Sequence, residues 1–254
     1  MAGIRVVALR DIATFFGDFY GVGFRTISTF LETLIFAYIL SKAVPSSAVL
    51  GLSYLQFFAL GAIVTSTFWA AYDIGQDVHW DRESGFLHYL MSLPIGRGEI
   101  IIGRSLGGAT RALFNAIPLY GLAAILVPTT VLNIIGSLGL LFILSIGLCG
   151  LGILISLSVL EEMRVRLLST LLSLVLIRSS TAIYPSVAMP VWLQVGTKFN
   201  PITHASDATR DILAGGMSPV VPIDAISFLV LFTLLAGMLG SWLFSKKIEG
   251  GPAE

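Results

Sequence analysis

The sequence predicts an all-α polytopic membrane protein with six transmembrane helices. Hydrophobic residues make up 56% of the 254 positions and charged residues only 12%. Soluble domains contain roughly 25% charged residues, and the mean hydropathy of this chain is +0.90. Six apolar runs each approach or exceed the roughly 20 residues that a helix needs to cross a bilayer. These observations indicate one transmembrane domain over residues 1–254.

Residues 1–22 predict an amphipathic helix lying at the membrane interface rather than a span. Charged residues interrupt the apolar pattern too often for the hydrocarbon core, namely Arg5, Arg10, Asp11 and Asp18. Apolar residues recur on one side at helical spacing: Ile4, Val7, Ala8, Ile12, Phe15, Phe16 and Phe19. This pattern is typical of interfacial helices. The alternative is a polar lead-in to the first span. No cleavable signal peptide is expected, because no short apolar core precedes a small-residue cleavage site.

The six predicted spans cover residues 23–43, 50–72, 100–127, 132–160, 167–183 and 223–244. The fourth is rich in glycine, which lets helices approach closely in lipid. Three charged residues fall near membrane depth: Glu32, Arg111 and Arg178. A buried charge needs a partner. We therefore expect Glu32 to pair with Arg111 or Arg178, and a role in proton or substrate binding is the alternative.

A short helix is predicted over residues 82–94, between spans two and three. Leu87, Leu90 and Met91 fall at i, i+3 and i+4, which produces one apolar face. Glu83 near the start suits the helix dipole, and Pro94 ends the helix. Taken alone, this pattern is equally typical of an ordinary loop helix at the interface.

Residues 185–221 contain apolar pieces too short to cross, and they predict short interfacial or re-entrant helices. Asn200-Pro201 is expected to start a helix, and Arg210 is expected to pair with Asp211. His204, Ser206 and Asp207 superficially suggest a hydrolase. Their order alone does not make a catalytic triad, and Ser206 does not lie in a GxSxG elbow. We therefore predict no catalytic residue here.

The distribution of basic residues predicts that both termini lie in the cytoplasm. One set of loops and ends carries Arg5, Arg10, Arg82, Arg97, Arg164, Arg166, Lys246 and Lys247, and the other carries Lys42, Lys198 and Arg210. An even number of spans places both termini on the same side of the membrane. The membrane is expected to be the plasma or inner membrane. The net charge of zero gives no indication of nucleic-acid binding. The one cysteine, Cys149, excludes an internal disulfide.

Two further patterns have competing explanations. Asp73, Asp77 and Asp81 recur at i+4, which could indicate a divalent metal site. A solvated acidic helix end, with salt bridges to Arg82, Arg97 or Arg104, is the simpler interpretation, and no metal is predicted.

Aromatic residues on span two could line a path for an amphiphile, or could pack against neighbouring spans: Phe57, Phe58, Phe68 and Trp69.

Three ordered patterns resemble the membrane-spanning permease subunits of type-2 ABC exporters. They are the amphipathic N-terminal helix, the segment from Glu83 to Pro94, and the run Phe199–His204 followed by Arg210 to Gly215. The resemblance implies that two copies meet in the membrane, as a homodimer, and that each binds a cytosolic ABC ATPase subunit. Spans two and five would line the pathway, and ATP and Mg would sit on the ATPase. No cofactor is expected on this chain, which has no GxxxxGK[ST] motif.

The resemblance also implies roles for individual residues. The segment between spans two and three would be the coupling helix that contacts the ATPase, through Glu83, Gly85, Phe86, Leu87, Leu90, Met91 and Pro94. The outer re-entrant helices would close the exit and would carry Asn200, Pro201, Arg210 and Gly215. The alternatives are an intramembrane enzyme acting on lipids or peptides and a membrane scaffold without transport. The sequence leaves the substrate open.

Overall fold

The computed structural model describes residues 2–42, 51–93, 95–159, 161–215 and 222–249, and within these ranges it contains helices and no strand. The ten α-helices are α1 (Ala2–Gly17), α2 (Phe19–Ser41), α3 (Tyr54–Glu83), α4 (Phe86–Ser92), α5 (Arg97–Leu126), α6 (Val131–Ser158), α7 (Glu162–Arg178), α8 (Val191–Thr197), α9 (Pro201–Ala214) and α10 (Ile223–Glu249). A short 3₁₀ turn at Ser186–Ala188 precedes α8.

Five of these helices are long and apolar enough to cross a membrane: Tyr20–Ser41, Tyr54–Glu83, Gly98–Leu126, Val131–Ser158 and Ile223–Leu243. The predicted fifth span corresponds to α7, which has 17 residues and begins with charged side chains. At 1.5 Å per residue α7 is about 26 Å long, shorter than the roughly 30 Å hydrocarbon core. The chain is therefore a multi-pass membrane protein, and its sixth crossing stays a prediction.

Polar side chains start several of the helices. Ser53 precedes α3 and forms a capping box with Gln56, in which each side chain bonds to the other residue's backbone N–H. The Asp18 side chain accepts a hydrogen bond from Gly21 N at 3.1 Å. Asp18 lies between α1 and α2 and separates them. Thr130 starts α6 by accepting from Asn133 N at 3.2 Å. These caps satisfy N–H groups that a helix start leaves without partners.

The helix α3 forms the centre of the bundle, between α5 and α6. Glycines let α3 and α6 approach closely, as expected from the glycine-rich fourth span. A Cβ on Gly75 would lie 2.5 Å from Gly152 Cα, and a Cβ on Gly152 would lie 2.7 Å from Tyr72 O. On another side of α6, a Cβ on Gly147 would lie 2.7 Å from the Phe232 ring of α10. By contrast, Gly139 has open space around it.

The helix α1 lies along α5. A Cβ on Gly103 would lie 2.9 Å from Ile4 O, and Val7 and Phe15 are buried. Residues Ala2–Gly17 are helical, and the position of this helix at the membrane interface stays a prediction. Phe16, which was expected on the apolar side, is exposed and contacts Phe114 of α5 edge-on at 5.2 Å.

The helix α2 is the least covered of the long helices. Its large apolar side chains face outward from the chain, among them Tyr20, Phe24, Ile27, Leu31 and Ile35. The helices α7 and α10 also expose leucines along one side. These apolar surfaces suit contact with lipid or with another membrane helix.

The close approach of α3 and α6 generates a testable prediction. We expect Gly152→Ala to lower the unfolding temperature of the detergent-solubilised protein, because the added methyl group collides with backbone atoms of α3. Overpacking of this kind costs about 1–3 kcal/mol. Gly139→Ala is the matched control and should leave the temperature unchanged or raise it slightly, since alanine favours helix. Equal losses in both variants would contradict this packing.

Candidate functional site

The turn between α3 and α4 depends on Gly85. Its φ is +76°, a left-handed conformation that glycine adopts without strain. Glu83 is the last residue of α3 and lies 3.2 Å from His79 Nε2. The expectation that Glu83 favours the dipole at the start of the short helix is therefore wrong, because α4 begins three residues later, at Phe86.

The apolar face of α4 packs into its own chain. Leu87 is 1% exposed and Leu90 is 4% exposed, within a core cluster that includes Ile74, Ile100 and Ile153. Phe86 and Met91 are partly buried against the same cluster. The expectation that Leu87 and Leu90 contact a partner is therefore wrong, since neither side chain reaches the surface.

The outward face of α4 carries Tyr89, which is 59% exposed, together with exposed Ser92. Gly85, at the turn, is exposed as well. Pro94 lies outside the described residues. Any contact of α4 with another protein would therefore use this polar and aromatic face.

A buried group of charges, here called the inner charge cluster, consists of Arg10, Asp11, Asp81 and Arg104. Arg10 donates two hydrogen bonds to the Asp81 carboxylate. Arg10 Nη2 donates to Asp81 Oδ1 at 3.0 Å, and Arg10 Nη1 donates to Asp81 Oδ2 at 3.1 Å. Arg104, from α5, also forms an ion pair with Asp81. The Arg10 guanidinium lies 3.9 Å from the centre of the Phe86 ring. The cluster therefore joins α1, α3, α4 and α5.

Asp11 completes the inner charge cluster and lies 3.9 Å from Arg10. Burial raises the pKa of the Asp11 carboxyl, and the nearby Arg104 and Arg10 oppose this rise. The expectation that Asp81 lies at a solvated helix end is wrong, because Asp81 is buried. Its expected pairing with Arg104 is confirmed. The Arg10 partner was missed, because 71 residues separate it from Asp81.

A second ion pair lies next to this cluster. Arg111 NH1 is 3.5 Å from Asp77 Oδ2, and the Arg111 guanidinium lies over the Phe15 ring. The expected pairing of Glu32 with Arg111 is therefore wrong.

At the opposite end of α3, Arg210 joins three segments. It is 3% exposed and donates to Phe57 O, Ala182 O and Asp207 Oδ1 at 3.0–3.3 Å. Its guanidinium also lies 3.6 Å from the centre of the Phe57 ring. Burial lowers the pKa of Arg210 to about 10, and the Asp207 carboxylate opposes this decrease. The expected pairing with Asp211 is wrong, since Asp207 lies one helical turn before Arg210 and faces it.

Asn200 and Pro201 start α9, as predicted. The Asn200 side chain accepts from Ile202 N at 2.9 Å, and Pro201 occupies the first helical position. Asn200 Nδ2 also donates to Leu176 O at 2.7 Å, which attaches α9 to α7. Gly215 ends α9 and donates to Asp211 O. The rest of the predicted outer segment, residues 216–221, lies outside the described residues.

Two of the polar residues of α9 that suggested a hydrolase, His204 and Asp207, have separate partners. His204 Nε2 lies 2.8 Å from Lys198 O, and its ring stacks on Phe228. Asp207 accepts from Thr181 at 2.7 Å as well as from Arg210. The absence of a catalytic residue in this segment stays a prediction.

A cavity of about 990 Å³, here called the lateral groove, lies between α2, α3 and α7 and the turn that follows α7. Phe58 and Trp69, two of the four aromatic residues for which pathway lining and packing are the competing explanations, line it. Phe57 and Phe68 do not, because Phe57 packs on Arg210 and Phe68 stacks on Tyr72 within the core. Glu32 and Arg178 both line the groove. The expected Glu32–Arg178 pair is not found, since no salt bridge within 4.0 Å joins them among the described residues.

We expect Asp81→Asn to destabilise the protein strongly. The substitution leaves the buried Arg104 and the partly exposed Arg10 without their carboxylate, and breaking a buried pair costs about 3–5 kcal/mol. Glu162→Gln is the control, since Glu162 pairs with Arg166 on the surface, where ion pairs contribute about 0–1 kcal/mol. Thermal unfolding in detergent measures both variants. An unfolding temperature for Asp81→Asn equal to that of the control would contradict the importance of the cluster.

We expect Arg210→Lys to lower the unfolding temperature as well. A lysine ammonium lacks the planar fork that reaches Phe57 O, Ala182 O and Asp207 together, and buried acceptors left unpaired cost about 1–3 kcal/mol. Arg164→Lys is the matched control, because Arg164 is exposed and pairs with Glu161 at the surface. Wild-type stability of Arg210→Lys would show that this contact network is dispensable.

Comparison with known proteins identifies relatives in membrane transport. Residues 2–214 match the family described as ABC-2 type transporter. The putative transport permease ycf38 of Cyanophora paradoxa is 29% identical over 183 residues, which cover 71% of this chain and 63% of that protein. The probable multidrug ABC transporter permease YbhR of Escherichia coli K12 is 28% identical over 174 residues, 66% of this chain and 46% of that protein.

Nodulation protein J of Rhizobium leguminosarum bv. trifolii is 23% identical over 201 residues, which cover 78% of this chain and 76% of that protein. The chain spans less than two-thirds of the length of the ycf38 and YbhR relatives. The family match nevertheless extends from α1 to the end of α9 and includes both the inner charge cluster and the Arg210 contacts. The chain therefore belongs to the ABC-2 type transporter family.

Proposed function

We propose that this chain is the membrane-spanning permease subunit of an ATP-driven exporter in the plasma or inner membrane. Two copies form the translocation pathway, and each copy binds one cytosolic ABC ATPase subunit, which carries ATP and Mg. The observation that carries this proposal is α4, a short helix held rigidly at the end of α3 with one face exposed. Membership of the ABC-2 type transporter family supports it.

The helix α4 is the coupling helix in this proposal. A permease without its own nucleotide site must receive work through contact with its ATPase. The helix α4 can transmit a push because Leu87 and Leu90 anchor it in the core and Arg10 packs on Phe86. Contact residues are then those on its outward side: Gly85, Tyr89 and Ser92, with Glu83 at the neighbouring end of α3. This set replaces the apolar face expected from the sequence.

The second copy would lie against α2, α3 and α7. These helices surround the lateral groove, and their outward side chains are largely apolar. In this arrangement α7 and the turn after it complete the sixth crossing, which places both termini in the cytoplasm. The helices α8 and α9 would lie at the outer side and close the exit, and the Arg210 contacts hold α9 against α3.

ATP binding would draw the two ATPase subunits together and press on both copies of α4. Because the inner charge cluster fixes α4 to α1, α3 and α5, the push would move these helices together. The pathway between the two copies would then open outward. The name of the Escherichia coli relative mentions multidrug transport, and amphiphilic drugs are accordingly one class of cargo to test.

The proposed contact can be tested by co-purification with the ATPase. We expect Tyr89→Ala to reduce recovery of the ATPase with the permease at least about tenfold, because exposed tyrosines are frequent binding hot spots. Tyr38→Ala is the matched control, since Tyr38 is equally 59% exposed but lies at the outer end of α2 in the proposed topology. Unchanged recovery with Tyr89→Ala, or equal loss in both variants, would reject α4 as the coupling helix.

A further inference from the structure

The lateral groove contains a carboxylate that stands apart from the other acidic groups near membrane depth. Asp77 pairs with Arg111, and Asp81 pairs with Arg10 and Arg104. Glu32 lines the groove, and among the described residues no basic group forms a salt bridge with it. An ionisable side chain at membrane depth is expensive unless it has a counter-ion or water. A cavity beside it can admit a ligand that supplies the opposite charge.

The groove is long enough for a ligand with an apolar body. Its wall on α3 extends from Phe58 to Asp73. At 1.5 Å per residue these fifteen steps correspond to about 22 Å. Ile39 and Leu40 of α2 and Leu174 of α7 provide apolar walls. The volume of about 990 Å³ lies at the upper end of ordinary ligand sites.

Aromatic rings lie next to the carboxylates of the groove. Phe36 follows Glu32 by four residues on α2, and Trp69 precedes Asp73 by four residues on α3, so each pair shares a helical face. Both rings line the groove and both are partly exposed. The face of an aromatic ring attracts organic cations, most strongly for tryptophan.

Three hydroxyl groups that line the groove donate their hydrogens to backbone carbonyls of their own helices. Thr33 donates to Thr29 O, Thr65 to Ala62 O, and Ser66 to Ile63 O, at 2.7–3.2 Å. The oxygen lone pairs of these side chains remain as acceptors on the groove wall. Such a lining favours a positively charged ligand over an anion, because an anion needs donors.

The positions of the charges lead to the same conclusion. Glu32 on α2 and Arg178 on α7 both line the groove. Arg178 is the last residue of α7, and it lies toward the outer end of the groove in the proposed topology. A cation is therefore attracted to the part of the groove near Glu32 and repelled from the part near Arg178.

We propose that the lateral groove binds an amphiphilic organic cation. The positive group lies at Glu32 between the Phe36 and Trp69 rings, and the apolar body extends along Phe58 and Leu40. Glu32 is the residue that selects the charge of the ligand. This inference rests on the proposed function and names the class of cargo that the exporter would carry.

The test measures binding of tetraphenylphosphonium to the purified chain in nanodiscs by isothermal titration calorimetry. We expect Glu32→Gln to weaken binding at least about tenfold, because the cation loses its counter-ion. Trp69→Leu should weaken it about threefold to tenfold through loss of the aromatic face. Arg178→Gln should leave binding unchanged or strengthen it.

The matched controls are Glu162→Gln, at the surface of α7, and Trp242→Leu, on α10 outside the groove. Both should bind tetraphenylphosphonium as the wild type does, and unchanged unfolding temperatures would show that all variants are folded. Wild-type affinity in Glu32→Gln would overturn the proposal. The proposal would also be overturned if the wild type bound dodecyl sulfate and Arg178→Gln abolished that binding, since the groove would then select anions.

Recovery of the ATPase with the same Glu32→Gln variant separates this inference from the proposed function. We expect this variant to retain the ATPase, because Glu32 lies far along the chain from α4 and lines a different surface. A wild-type protein that retains the ATPase but binds no tetraphenylphosphonium would reject the cation site alone. A protein that binds tetraphenylphosphonium through Glu32 but associates with no ATPase would reject the exporter alone.

Discussion

The structure depends on the burial of Asp81 between two arginines from different helices. A carboxylate taken out of water needs opposite charge and hydrogen bonds to compensate its lost hydration. Arg10 of α1 and Arg104 of α5 provide both. Because α1, α3 and α5 must keep their positions for these contacts to exist, the inner end of the bundle is fixed as a unit. Arg10 extends this unit to α4 through the Phe86 ring.

The outer end of α3 is held by a different kind of contact. Arg210 donates mainly to backbone carbonyls, at Phe57 of α3 and Ala182 after α7, and uses Asp207 as its counter-ion. The helix α3 is therefore attached at both ends to elements that are distant in sequence. Between these attachments α5 and α6 cover part of its surface, and the lateral groove lies along another part. This arrangement places a cavity beside a rigid central helix.

The position of α4 shows why an apolar face need not be a docking surface. Leu87, Leu90 and Met91 follow the spacing of an amphipathic helix, and that face is buried against α3, α5 and α6. The burial removes apolar area from water and orients the helix. What remains for a partner is the opposite face with Tyr89 and Ser92. The coupling role proposed for α4 thus combines an apolar anchor within the chain and a polar contact outside it.

The sequence alone determined the membrane class, the approximate positions of the long helices, the N-terminal and short helices, and the start of α9 at Asn200-Pro201. These features follow from local composition, helical spacing and capping, which depend on residues close together in the chain. It did not determine that Arg10 also pairs with Asp81 or that Arg210 pairs with Asp207, nor which aromatic residues of α3 face a cavity. Only the tertiary structure decided these, because contacts such as Arg10 with Asp81 or Phe57 with Arg210 join residues more than 70 positions apart, and their distances depend on how whole helices pack.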